Sequence, residues 1–140
     1  MLDEFQATNV NAILDASDLA MQNFAREVLG YENQKGLDFI ARFNGKYILG
    51  EAKFLSDFGG HQNAQLNDTL TLLNSKTKHK SVIKVAILDG VCYIKNQGKM
   101  FETLMAHKEQ NILSALLLLV LVLKSAYLKF CRCGFWILLC

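Results

Sequence analysis

Apolar residues first recur at helical spacing between Ser17 and Gly30, where Ala20, Met21, Phe24, Ala25 and Val28 line one side of a segment. Ser17 or Asp18 can cap its start and Gly30 can stop it. After the polar residues 31–35 the period changes to two, with Leu37, Phe39 and Ala41 alternating with Asp38, Ile40 and Arg42. Asn44-Gly45 separates this run from residues 46–54, rich in Tyr, Ile and Leu. Two strand-like runs joined by Asn-Gly predict a β-hairpin, because a type I′ turn needs positive φ at both central positions. A loop with Ser56, Asp57, Gly59 and Gly60 leads into a second helix over residues 61–73, with Leu66, Leu70 and Leu73 on one face. Residues 82–88 and 91–95 flank Asp89-Gly90 and predict a second hairpin. A third helix is expected over residues 99–107, and a fourth is expected to begin near Glu109. The order helix, strand, strand, helix, strand, strand, helix predicts an α/β (α+β) domain built around one mixed sheet.

Composition divides the chain in two. Residues 1–109 hold 12 basic and 13 acidic groups, whereas residues 110–140 hold three basic groups, no acid, and 23 apolar residues out of 31. At 140 residues the chain has room for one core. Its 15 Lys+Arg against 13 Asp+Glu exclude a polyanion-binding arm that works by net charge alone. The apolar run 112–123 is 12 residues long, short of the roughly 18–20 that cross a bilayer, so a membrane partner is not expected. Residues 1–119 are expected to form the domain, and residues 120–140 an atypical hydrophobic tail read as a frameshifted or truncated continuation, with an interfacial anchor as the alternative. Three of the four cysteines, Cys131, Cys133 and Cys140, fall in that tail. The start of the chain carries Asp3 and Glu4 in place of a basic signal region, so a reduced, cytoplasmic setting is expected. Cys131-Arg132-Cys133 is too tightly spaced for a zinc pair, and Cys92 reads as a small buried residue of the second hairpin.

The first hairpin carries the chemistry. An Asn44-Gly45 turn pairs Phe43 with Lys46 and, continued along the ladder, sets Asp38 opposite Glu51. Facing side chains in an antiparallel pair have Cβ atoms about 4.5–5.5 Å apart, so two carboxylates there call for a cation. Glu51 and Lys53 project from the same face, two residues apart. A pair of carboxylates suits a hard divalent ion such as Mg²⁺, with the Ala52 carbonyl between them as a further oxygen and Lys53 placed to orient a water. This is phosphodiester-hydrolysis chemistry.

Asp38 followed by Glu51-Ala52-Lys53 resembles the PD-(D/E)xK nuclease core, and the wider runs 36–39, 50–54 and 57–65 are similar to type II restriction endonucleases. The resemblance spans roughly residues 17–110, and Leu37 stands where proline is often found. It implies a restriction-endonuclease-like fold, a mixed β-sheet flanked by helices, and a Mg²⁺-dependent endonuclease acting on double-stranded DNA as a homodimer. It also implies Asp38 and Glu51 as metal ligands, Lys53 as the residue assisting the attacking water, and a further acid from the preceding helix, with Glu27 the candidate and Glu32 the alternative. A repair or junction-resolving nuclease, and an inactive DNA-binding remnant, are the other readings.

Two further segments bear on DNA. A glycine loop opening a helix at residues 59–65 suits phosphate oxygens, and the imidazole and amides of His61, Gln62, Asn63 and Gln65 are the candidate DNA contacts. The basic residues of 76–80 would add local positive potential, but solvated loop charge is the simpler reading of them.

Overall fold

The computed structural model describes residues 2–7, 10–95 and 98–114. The expectations that concern residues 115–140, namely the body of a fourth helix, the tail boundary at residue 120 and the terminal cysteines, lie outside the described residues.

The described elements are α1 (Leu2–Ala7), β1 (Ala12–Ile13), α2 (Asp18–Glu27), β2 (Phe39–Phe43), β3 (Lys46–Leu55), α3 (Gly60–Asn74), β4 (Val82–Gly90), a 3₁₀ turn (Val91–Tyr93), α4 (Met100–Ala106) and β5 (Ile112–Leu113). The strands form one sheet in the order β1-β2-β3-β4-β5, antiparallel from β1 to β3 and parallel from β3 to β5. This is the mixed sheet with flanking helices that the sequence predicts. Ser17 caps α2 as expected, accepting from the Ala20 N–H at 3.4 Å.

The β2–β3 hairpin has the expected register, from Phe43↔Lys46 to Phe39↔Gly50. Asn44 and Gly45 have φ of 50° and 71°, the two positive values that the turn requires. Asp89-Gly90 does not form a second such turn. Both residues remain in β4, paired with Phe54 and Leu55, and Asp89 keeps a negative φ. Gly90, at φ 94°, instead allows the Leu55 carbonyl to come where a Cβ would stand, and the chain bends into the 3₁₀ turn. Cys92 is buried as expected, but in that turn and not in a strand. Near Glu109, where a helix was expected to begin, the chain enters β5.

Alternation along the strands sends two sets of side chains to opposite faces. Leu49, Ile40 and Tyr47 pack with Met21, Phe24 and Ala25 of α2 and Leu72 of α3 in one core cluster. Leu55, Ala86 and Leu88 pack with Leu66, Leu70 and Leu73 of α3 and Met100 and Leu104 of α4 in a second. Both clusters lie on the same face of the sheet. Arg42 is also on this face, opposite Tyr47, and is 2% exposed. Its guanidinium donates to the Phe5 and Val10 carbonyls and stacks over the Phe5 ring, 4.7 Å from its centroid. These contacts fasten α1 and the approach to β1, two elements without a signal in the residue pattern, onto the sheet.

Candidate functional site

Between Leu49 of the first cluster and Leu55 of the second, the two side chains of β3 that point the same way are Glu51 and Lys53. The site therefore sits at the seam between the two halves of the core. Glu51 is 7% exposed, while Asp38 and Lys53 are more open to solvent.

Regular pairing of β2 with β3 ends at Phe39↔Gly50, so Asp38 lies one residue beyond the ladder that was expected to carry it. Its backbone N–H donates to the Gly50 carbonyl at 3.0 Å. If the ladder continued, the Ala52 N–H would face the backbone of Leu37. Leu37 instead turns into the core, and the Asp38 carboxylate takes that N–H, with Oδ2 at 2.7 Å from Ala52 N. Because the N–H and C=O of a strand residue point to the same side, the Ala52 carbonyl also faces the edge left open where β2 ends. Lys53 Nζ lies 3.0 Å from Asp38 Oδ2 and 3.3 Å from Glu51 Oε1. The two carboxylates thus converge on a single positive charge.

Electrostatics at the site oppose ionisation of Glu51. Burial pushes its carboxyl above the ordinary value of 4.5, with the neighbouring charges of Asp38 and Asp68 adding to the rise and Lys53 working against it. For Lys53 burial alone would lower the ammonium, but the Asp38 and Glu51 carboxylates outweigh it and the net shift is upward. Tyr31, 3% exposed and close to Ser75 and Asn33, feels the Glu51 charge, and burial with that charge raises its hydroxyl to about 12.

The structure brings together Asp38, Glu51, Lys53 and the backbone of Ala52. The carboxylates that act on Glu51 are Asp38 and Asp68. Glu27, on the exposed side of α2, is not among them, and neither is Glu32, which is also exposed. Asp68, held on α3 by an ion pair with Lys35, and Tyr31 were not singled out from the sequence. Finding Asp68 there would have required knowing which side of α3 faces the β3 seam. Among the described residues no group of three or more His, Cys, Asp or Glu side chains is placed to hold a metal.

At the start of α3 the four candidate DNA contacts separate. Asn63 Nδ2 donates to the Phe58 and Gly59 carbonyls, both at 3.0 Å, and Gln62 Nε2 donates to Ser56 Oγ at 3.1 Å. Those two side chains hold the loop that enters the helix. His61 is exposed, with Gln65 Nε2 3.1 Å from its Nε2, and this pair faces outward.

No helix among the described residues is long and apolar enough to cross a membrane. A family model described as Tsp45I type II restriction enzyme matches residues 1–125. No curated protein and no solved structure matches the chain.

Proposed function

The chain belongs to the Tsp45I type II restriction enzyme family, and we propose that it hydrolyses phosphodiester bonds of double-stranded DNA with Mg²⁺ at Asp38, Glu51 and Lys53. The observation that carries this reading is the convergence of both carboxylates on one ammonium, at 3.0 and 3.3 Å. A position that already holds a positive charge between two carboxylates has the hard-oxygen donors that Mg²⁺ uses, since that ion binds through one or two carboxylates and keeps several waters. Asp38, Glu51 and the Ala52 carbonyl would hold it. When bound, the ion polarises a phosphate oxygen and acidifies a coordinated water.

The residues of the chain supply the remaining steps. Lys53 donates hydrogen bonds to the attacking water or to the phosphate oxygens on which charge develops. The Ala52 amide fixes the Asp38 carboxylate, so that one of its oxygens needs no reorganisation on binding. In the reaction the water oxygen bonds to phosphorus and gives up a proton, one P–O ester bond breaks, and the released alkoxide takes up a proton, leaving a phosphate monoester and an alcohol. His61 and Gln65 are the outward-facing groups for DNA at the helix that follows, and cutting both strands calls for two copies of this site, hence a homodimer.

Purified protein is expected to cut duplex plasmid in Mg²⁺ and to leave it intact in EDTA or in Ca²⁺ alone, because the larger ion does not enforce octahedral geometry. Asp38→Ala and Glu51→Ala are each expected to abolish cutting while the circular dichroism spectrum stays unchanged. Full activity in either variant would remove the assignment.

A further inference from the structure

Two side-chain donors in the loop between α2 and β2 are buried without an acceptor. Among the described residues the Tyr31 hydroxyl and Asn33 Nδ2 have no hydrogen-bond partner, although both atoms are shut off from solvent. Such groups cost free energy unless something in the native protein satisfies them. Neither is free to turn away. Asn33 Oδ1 accepts the Lys35 N–H at 3.1 Å, which fixes the end of the amide that is buried. The backbone at Tyr31 is pinned on both sides, its own N–H donating to the Ala25 carbonyl at 2.9 Å and that of Glu32 to the Lys76 carbonyl at 3.2 Å.

Tyr31 packs in the first core cluster with Leu49 of β3 and Leu72 of α3. Glu51 is the next side chain after Leu49 on that face, and its charge reaches the Tyr31 hydroxyl. Ser75 and Asn33 stand near the same hydroxyl without bonding to it. Ser75 Oγ gives its own proton to the Leu72 carbonyl at 2.5 Å, so it has only lone pairs to offer. The two carboxylates of the site are held unequally. Asp38 keeps the Ala52 amide, whereas the contact with Lys53 is the one polar contact that the described residues give the Glu51 side chain. Once a metal ion displaces that ammonium, Glu51 needs another anchor.

We propose that Tyr31 is a positioning residue of the metal site, holding the Glu51 carboxylate through one buried water. The water accepts from the Tyr31 hydroxyl and Asn33 Nδ2 and donates to Glu51 and to Ser75 Oγ. The inference rests on the metal reading above and names what keeps Glu51 in place when Lys53 is displaced. A buried water ordinarily makes about three hydrogen bonds to polar groups that lack other partners, and a bridge of this kind is nearly as good as a direct bond. It satisfies both orphaned donors at once. It also gives the carboxylate a donor for its charged form, which burial opposes. Groups that hold a metal-binding carboxylate in this way set metal affinity by about 10–100-fold.

The test compares the full chain with its Tyr31→Phe and Glu51→Gln variants, with Mn²⁺ as the probe. This ion shares the preference of Mg²⁺ for carboxylate and water oxygens, and its free form is counted by electron paramagnetic resonance. Wild type is expected to bind at least about tenfold more tightly than Glu51→Gln, and Tyr31→Phe is expected to lose about tenfold. p-Aminophenylalanine in place of Tyr31, which keeps a donor at the same point of the ring, is expected to restore the affinity. Binding of Tyr31→Phe to duplex DNA without metal, read by fluorescence anisotropy, is expected to match wild type. Wild-type Mn²⁺ affinity in Tyr31→Phe would overturn the inference and leave the metal reading standing. Equal affinity in wild type and Glu51→Gln would remove the metal reading and the inference with it. A Tyr31→Phe protein that fails to fold, or that loses metal and DNA binding alike, would show that the hydroxyl serves the fold alone, which also overturns the proposal.

Discussion

Asp38 Oδ2 accepts the Ala52 amide at 2.7 Å, and through this bond the carboxylate takes the place of a strand partner where β2 ends. The side chain thus has a structural contact as well as its proposed chemical one, and two substitutions separate them. Asp38→Asn keeps an acceptor oxygen for the Ala52 N–H and is expected to melt within about 0.5 kcal/mol of wild type. Asp38→Ala leaves that N–H to water and is expected to lose about 1 kcal/mol. Both are expected to lose at least about a hundredfold in cleavage rate, since neither restores the charge. Urea denaturation and plasmid cutting on the same preparations check both halves.

Glu51 is the group whose ionisation the fold resists, so its charge is maintained at the expense of stability. Its folded value lies above the unfolded value of 4.5, and the native state therefore binds more protons than the unfolded state as pH rises past that point. The contribution of this group to stability is full below the unfolded value and is lost as pH rises through the folded one. Glu51→Gln is expected to be at least as stable as wild type at neutral pH and to remove this component of the decline, while cleavage falls by at least about a hundredfold. In wild type, cleavage is expected to rise with pH through the same window, as the carboxylate becomes available to a metal. An unaltered pH–stability profile in the glutamine variant would contradict the assignment.

Next to Glu51, Gly50 is closed in by the ring of Phe39 from the facing strand, and a Cβ at residue 50 would fall inside that ring. Gly50→Ala is expected to cost about 1–3 kcal/mol by forcing the ring off its position. In a Phe39→Ala background the same change is expected to cost less than half as much, because the obstacle is gone. A denaturation cycle over the four proteins measures the coupling, and additive costs would show that the strain lies elsewhere.

These contacts indicate which parts of the molecule could be read from the residues. Asn44-Gly45 acts locally, so the hairpin, its register and the approach of Asp38 to Glu51 were legible. Asp89-Gly90 carries the same local signature, yet β4 is held on both sides, parallel to β3 and to β5, and that pairing overrides the turn. The first two elements escaped notice because they depend on Arg42, a residue that reads as polar surface and lies buried under Phe5. Asp68 escaped for a related reason, since its electrostatic reach to Glu51 depends on how α3 lies against the sheet and not on any spacing within the helix.

The start of α3 gives a last expectation, in which the neighbours of the loop decide the roles. Asn63 holds two loop carbonyls, so Asn63→Ala is expected to lower stability by about 1 kcal/mol and to weaken DNA binding only as far as the loop moves. His61 and Gln65 bond to each other at the surface, so His61→Ala and Gln65→Ala are expected to leave the melting curve within about 0.5 kcal/mol of wild type. If those two groups touch bases, each loss is expected to weaken binding to the preferred sequence by about 1–3 kcal/mol and to leave binding to unrelated duplex unchanged. Fluorescence anisotropy with Asp38→Asn protein, whose cleavage is expected to be at least about a hundredfold slower, measures both affinities across a salt series. A drop of equal size on every duplex would place His61 and Gln65 on the phosphates, and no drop on any duplex would remove them from the interface.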